Sequence, residues 1–311
     1  MALAIVAIGG NALSPKGAIA DAASLRRAAA TAAQQLADLV DAGYRIVVTH
    51  GNGPQVGNIL LQNEESRDRV PAMPLDVCVA ESQAQIGYLL QQAVRNELAR
   101  RGKPIGVASV VTQVVVDAED PAFRHPTKPI GPYYLTESEL VVGRAKGWAF
   151  QADARGGWRR VVPSPRPVEV VEADLLRAMI RGDSGILIAA GGGGIPVVRR
   201  GTQLVGVEAV VDKDLASAVL GTAIGADLLL LATDVPRIAL NFGRPDQRDL
   251  DRLTRAEARH HLAAGQFPAG SMGPKVEAAL LFLEGGGLRA TVADLAHLVD
   301  AVSGRAGTTI A

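Results

Sequence analysis

The chain has 311 residues, 48 % of them hydrophobic and 21 % charged, with 32 basic side chains balanced by 32 acidic ones. That composition excludes a disordered chain, and a net charge of zero excludes the broad positive field of a nucleic-acid binder. No apolar run reaches the roughly 18 residues of a membrane-spanning helix, and Cys78, the sole cysteine, leaves no intrachain disulfide, which fits a reducing cytoplasm.

The length suits one large α/β unit or two lobes. The N-terminal run Leu3 to Ile8 lacks a basic flank and a cleavage site and reads as a buried strand, not a signal peptide. Asp21 can cap a long Ala-rich helix that Gly43 ends. Tyr44 to Thr49 is a second strand, and Gln55 to about Arg67 is helical. Asp76 caps another long helix closed by Gly102, and Ile105 to Val116 is β-rich. From Asp117 to about Pro167 the periodicity breaks, with seven prolines and both tryptophans. A segment of that length is usually functional or carries small structure of its own. It reads as a protruding flap with a helix near Glu137 to Lys146 and a hairpin around Trp148 to Val162; the alternative is a surface excursion without a role. Alternation then resumes: a helix at Glu172 to Arg181, a strand at Gly185 to Ala190 and a hairpin at Val197 to Val207. Asp212 caps a helix through Leu220. Further strands fall at Asp227 to Leu231, Arg289 to Val292 and Thr308 to Ile310, and helices at Thr254 to Ala264, Ser271 to Leu283 and Asp294 to Val299. Strands alternating with helices predict a mainly parallel sheet covered on both faces.

Four glycine-bearing motifs punctuate this pattern: Gly9-Gly10-Asn11, Gly51-Asn52-Gly53, Gly191-Gly192-Gly193-Gly194 and Gly270-Ser271-Met272-Gly273. Bare backbone at strand ends presents amide donors to an anion, and a following helix adds its positive end. The first two can also be plain turns. Gly9-Gly10-Asn11 lacks the spacing of a dinucleotide fingerprint, and Pro54 suits a first helical turn. His50 is either a general base or a strand-end histidine bonded to backbone. Four successive glycines cost roughly 0.5–1 kcal/mol each relative to alanine inside regular structure. Close approach of a ligand, or of two parts of the fold, accounts for that. Lys213, beside its cap Asp212, and Lys275 both sit in first helical turns, where the dipole disfavours a cation; an anion in front of each helix removes the conflict. Prolines on both sides of Lys128 stiffen and aim it. His260-His261 point in different directions, so no metal-ligand set is expected. Cys78 reads as a small core residue, and there is neither a nucleophile elbow nor a Walker loop.

Seven segments occur in an order that resembles the carbamate kinases of the amino-acid-kinase superfamily, from residue 3 almost to the C-terminus. They are Gly9 to Ala12, His50 to Asn58, Pro126 to Pro132, Trp158 to Pro165, Gly191 to Val198, Gly206 to Asp214 and Gly270 to Lys275. The resemblance implies a three-layer α/β/α sandwich with a mainly parallel central sheet and a small protruding subdomain. It also implies a homodimer, and a cytoplasmic role in making ATP during arginine or ureide breakdown. Residues 1–190, including the flap at 117–167, would form an N-terminal lobe for carbamate, carbamoyl phosphate and dimer contact; residues 191–311 would hold ATP or ADP with Mg²⁺. Lys128, Lys213 and Lys275 match the family's functional lysines, and Asp212 resembles the aspartate that organises them. Gly9, Gly10, Asn11, Gly51, Asn52 and Gly53 match anion loops, joined by Gly191, Gly192 and Gly193. Thr233, Asp234, Ala239, Ser271, Met272 and Gly273 fall on the nucleotide side. Acetylglutamate kinases carry a lysine where this chain has Ala7, and Ala239 stands where the family pattern has a tyrosine. The flap after Tyr134 is slightly longer than usual. Carbamate is already an oxyanion and needs no general base, so transfer would rest on positioning and charge stabilisation. The alternatives are a kinase for another small carboxylate, such as an acylated amino acid, and a non-catalytic nucleotide-binding protein on the same scaffold.

Overall fold

Strand β1 (Leu3–Ile8) is apolar at every position, and the computed structural model of the protein shows both of its faces covered. The structure describes residues 1–10, 21–153, 156–182, 185–268 and 270–311; Asn11 lies outside the described residues. Leu3, Ile5 and Ala7 enter one core and Ala4, Val6 and Ile8 another, as the two-residue period of an extended chain requires. Along the chain follow α1 (Ala22–Asp41), β2 (Arg45–His50), α2 (Gly53–Glu65), α3 (Leu75–Arg100), β3 (Val107–Ser109) and β4 (Gln113–Val116). The flap contains β5 (Lys128–Tyr134), α4 (Glu137–Ala145), β6 (Ala149–Ala152) and β7 (Trp158–Val162). Then come β8 (Pro167–Val170), α5 (Ala173–Arg181), β9 (Ile186–Ile188), β10 (Ile195–Arg200), β11 (Gln203–Gly206), α6 (Lys213–Ile224) and β12 (Leu228–Thr233). The remainder is β13 (Ile238–Leu240), β14 (Arg248–Leu250), β15 (Arg252–Leu253), α7 (Arg255–Ala263), α8 (Met272–Glu284), β16 (Arg289–Asp294), α9 (Leu298–Val302) and β17 (Thr308–Ile310).

The central sheet runs β15-β17-β16-β12-β1-β2-β9-β3, and its six strands from β16 to β3 are parallel. Helices α1, α3 and α9 cover one face through Leu36, Leu90 and Leu298. Helices α5, α6 and α8 cover the other through Leu176, Leu220 and Phe282. This is the expected three-layer α/β/α sandwich. A second sheet, β11-β10-β4-β8, continues from it, and β5-β7-β6 form the antiparallel sheet of the flap. No helix among the described residues is long and apolar enough to cross a membrane.

Local signals act as read at several boundaries. The Asp21 carboxylate accepts from the Ser24 amide at 2.7 Å and starts α1, and Gly43, at φ +86°, turns the chain out of it. Three expectations change. The N-cap of α3 is Pro74, and Asp76 lies inside its first turn, where a carboxylate still complements the dipole. The stretch Ile105 to Val116 divides between two sheets, because Thr112 is pinned by Gln83 through paired bonds of 3.0 and 2.9 Å. The hairpin β13–β14 was not anticipated; its strands are three residues each and too short to show alternation.

α6 and α8 pack closely because Gly221 faces the Phe282 ring; a Cβ there would stand 2.9 Å from it. Phe282 is fully buried. Its replacement by alanine should cost about 3–5 kcal/mol of stability, read as a lower midpoint in urea unfolding with an unchanged slope.

Candidate active site

The parallel strands deliver their C-terminal ends to one edge, where ligands of open α/β sheets bind. There the glycine loops touch. A Cβ on Gly51 would stand 3.0 Å from the Gly10 nitrogen and 3.5 Å from Cδ of Lys213. The Gly51 amide donates to the Ile8 carbonyl at 3.1 Å, tying the loop after β2 to the end of β1. Gly9 backs onto the Ala232 carbonyl of β12, and Gly53 onto the Pro129 carbonyl of the flap.

The tetraglycine is explained by its neighbours. Gly192 and Gly193 have φ of +64° and +90°, a region costly for other residues. A Cβ on Gly192 would strike the Asn52 side chain at 2.1 Å, and one on Gly193 the Val211 carbonyl at 2.3 Å. Gly191 lies against the His50 ring. The segment is therefore the point where the loops around residues 50–52 and 211–213 meet. Asn52, 2 % exposed, donates through Nδ2 to Ser82 Oγ at 2.8 Å, so α3 orients it.

Three lysines converge on the first turn of α6, at Asp212 and Asp214. Asp212 is the N-cap of α6: its Oδ1 accepts from the amide of Asp214 at 2.9 Å and that of Leu215 at 3.4 Å. Its Oδ2 accepts from Lys128 Nζ of the flap at 2.5 Å. Asp214, 4 % exposed, receives Lys213 Nζ on Oδ1 and Lys275 Nζ on Oδ2, the latter at 2.8 Å. The carboxylate that joins the two buried lysines is thus Asp214, whereas Asp212, matched to that task from sequence, holds the flap lysine. Asp214 also supplies the counter-charge that the first-turn position of Lys213 called for. The signal for it was present, an acidic residue one step from a lysine in a first turn, but which lysine lies opposite is fixed by α8, 61 residues away.

Ser271 is the N-cap of α8, and the amide of Gly273 bonds the Pro268 carbonyl at 2.9 Å, setting the turn that carries Lys275 inward. Met272 packs partly into the core beneath. Thr233 ends β12, with its hydroxyl 3.5 Å from Asp234, and Asp234 acts electrostatically on Lys275. Ala239 is buried on β13 opposite Asp249, and the partners of the three lysines are Asp212 and Asp214 and do not include it. An open groove of about 460 Å³, lined in part by Val170, Val219, Thr222 and Leu281, lies toward the other end of α6 and contains none of the expected site residues.

A model of the amino acid kinase family matches residues 2–294. The carbamate kinase of Pyrococcus horikoshii is 45 % identical over 309 residues, covering 98 % of each chain. The carbamate kinase of Giardia lamblia, solved bound to citric acid, superposes with a TM-score of 0.94 at 39 % identity, covering 99 % of this chain and 98 % of that one. The same Giardia enzyme bound to AMP-PNP gives 0.91 at 40 % identity, with the same coverage. The chain belongs to the carbamate kinases of the amino acid kinase family.

Within that family's frame the site has a defined protonation pattern. Burial opposes the charge of Asp214, but Lys213 and Lys275 outweigh it and hold the carboxyl well below its usual range. Burial likewise acts against Asp212, yet Lys128 keeps it ionised. Burial, together with repulsion from Lys275, pushes Lys213 down to about 8 against the pull of Asp214. Lys275 is raised: burial disfavours its charge, and Asp214 more than restores it. Burial pushes His50 down to about 4, so it is neutral at physiological pH and a weak base, with Nδ1 beside the Gly51 carbonyl at 3.1 Å. Cys78, buried and pushed up to about 11, is not a thiolate nucleophile.

The ammonium is the acid form, so Lys213 carries its charge below about pH 8 and loses it above. Phosphoryl transfer at subsaturating substrate should therefore fall as pH rises through about 8, while Lys213→Arg, which stays charged, should lose that break in the pH–rate profile.

Proposed function

We propose that this chain catalyses reversible phosphoryl transfer between ATP and carbamate, making ATP from carbamoyl phosphate and ADP in the catabolic direction. Its family membership and the convergence of Lys128, Lys213 and Lys275 on Asp212 and Asp214, with Lys213 beside the Gly51 loop, support this reading. Both reactants are anions, so the barrier is largely their repulsion and the charge on the moving phosphoryl group. Lys213 and Lys275, held apart and aimed by Asp214, would flank that group. Amides of Gly9, Gly10 and Gly53 would receive the carbamate side, with Gly51, whose own amide is bonded to the Ile8 carbonyl, holding the loop in place, and Lys128 would close over it from the flap, excluding water that would hydrolyse the product. Asn52 and the 191–193 glycines would act by shaping the loop junction. Neutral His50 suits a reaction in which the nucleophile arrives already ionised. Asn11 is proposed for the same anion loop on sequence grounds.

The nucleotide would lie against residues 191–311, near Thr233, Asp234 and the turn Ser271 to Gly273; the AMP-PNP held by the Giardia relative supports an adenine nucleotide. Among the described residues no group of three acidic, histidine or cysteine side chains could hold a metal. Mg²⁺ would therefore travel with the nucleotide, bound mainly by phosphates and water, and would neutralise phosphate charge. The exposed stripe of Val77, Ala84 and Tyr88 along α3 favours a homodimer through the N-terminal part. A cytoplasmic place in arginine or ureide breakdown is the family-based expectation.

Mixing the protein with ADP, Mg²⁺ and carbamoyl phosphate should yield ATP, acylated amino acids should not accept phosphate from ATP, and light scattering of the same sample should read a dimer. Lys213→Ala should slow transfer about 100- to 1000-fold, the cost of one such contact of 3–4 kcal/mol. Absence of ATP would contradict the proposed activity, and near-normal turnover of the variant would remove Lys213 from it.

A further inference from the structure

Gly57 and Gly131 belong to conspicuous sequence motifs, yet neither takes part in the chemistry above. In the fold they are a single contact. α2 starts at the anion loop and runs beneath the flap. Its residues Gly53, Gly57, Leu60 and Glu64 recur at i, i+4, i+7 and i+11, one face of a helix, and each meets the flap. Gly53 adjoins the Pro129 carbonyl, with room of 3.5 Å for a Cβ. At Gly57 there is none: a Cβ would stand 2.0 Å from both N and Cα of Gly131, so helix and strand backbones touch. Gly131 has φ +70° and lies where the β5–β7 register shifts, between Ile130 and Tyr133. Leu60 lines a small cleft with Ile130, Pro132, Trp148 and Arg160. Glu64 Oε1 accepts from Lys146 Nζ at 2.9 Å. The cations of Lys146 and Arg160 lie 5.3 and 4.3 Å from the Trp148 ring centroid, joining that bridge to the flap sheet.

Lys128 is on the same strand as Gly131, three residues earlier. We propose that this face of α2 is the seat that fixes where the flap delivers Lys128, with Gly57 and Glu64 as positioning residues for phosphoryl transfer. Because α2 also begins at the Gly51–Gly53 loop, one rigid rod would set both the substrate loop and the lysine that closes over it. The inference rests on the role given to Lys128 above.

The test is a double-mutant cycle in the full-length protein, following ATP formation from carbamoyl phosphate. Gly57→Ala should lower kcat/KM by about 100-fold through misplacement of Lys128, and Lys128→Ala by a similar factor. The double variant should be no slower than Lys128→Ala alone, and the Kd for ADP should stay at the parental value in all three. Glu64→Gln should raise KM for carbamoyl phosphate severalfold with little change in kcat, an effect also absent when Lys128 is already alanine; this second cycle decides the matter if Gly57→Ala does not fold. Losses that multiply independently in either cycle would overturn the seat. Parental turnover of Lys128→Ala would instead overturn the role of Lys128 itself.

Discussion

A single buried carboxylate, Asp214, sits between two ammonium groups, and the organisation of the site follows from it. Two like charges in a shielded place repel strongly, and each also loses hydration there. Asp214 offsets both costs, one oxygen to each lysine, and so allows Lys213 and Lys275 to stay together at 9 % exposure apiece. The arrangement depends in turn on the core. α6 and α8 are held side by side because their C-terminal parts interlock at Gly221 and Phe282, which fixes how their N-terminal turns meet. Packing far from the chemistry thus sets the spacing of the two charges.

The third lysine arrives differently. Lys128 belongs to the flap and crosses to Asp212, the cap of the same helix that carries Lys213. The N-terminus of α6 therefore gathers the contributions of the flap, of α8 and of the tetraglycine junction at Val211. Such an assembly suits a transfer between anions. It supplies fixed positive charge and amides in place of water, and it requires no proton to be removed by His50, which burial keeps neutral.

Much of the architecture was legible in the sequence because it is written in local terms. The continuous apolar run Leu3 to Ile8 meant a strand buried on both faces, and Asp21 meant a helix start. What escaped depends on distant partners. Asp212 and Asp214 are two residues apart, and either could serve Lys275 until the position of α8 is known. The tetraglycine announced a close approach without saying to what; its neighbours His50, Asn52 and Val211 come from other parts of the chain. The Gly57–Gly131 contact was hidden for the same reason. Asp76 misled because a carboxylate stabilises a first turn as well as a cap, and β13–β14 because three-residue strands carry no readable period.

The most direct test of the central role of Asp214 is the turnover of Asp214→Asn with carbamoyl phosphate and ADP, measured beside its circular dichroism spectrum. Loss of the shared negative charge should lower stability by about 3–5 kcal/mol, and the protein that remains folded should turn over at least about 100-fold more slowly. A folded variant that makes ATP at close to the parental rate would contradict the account.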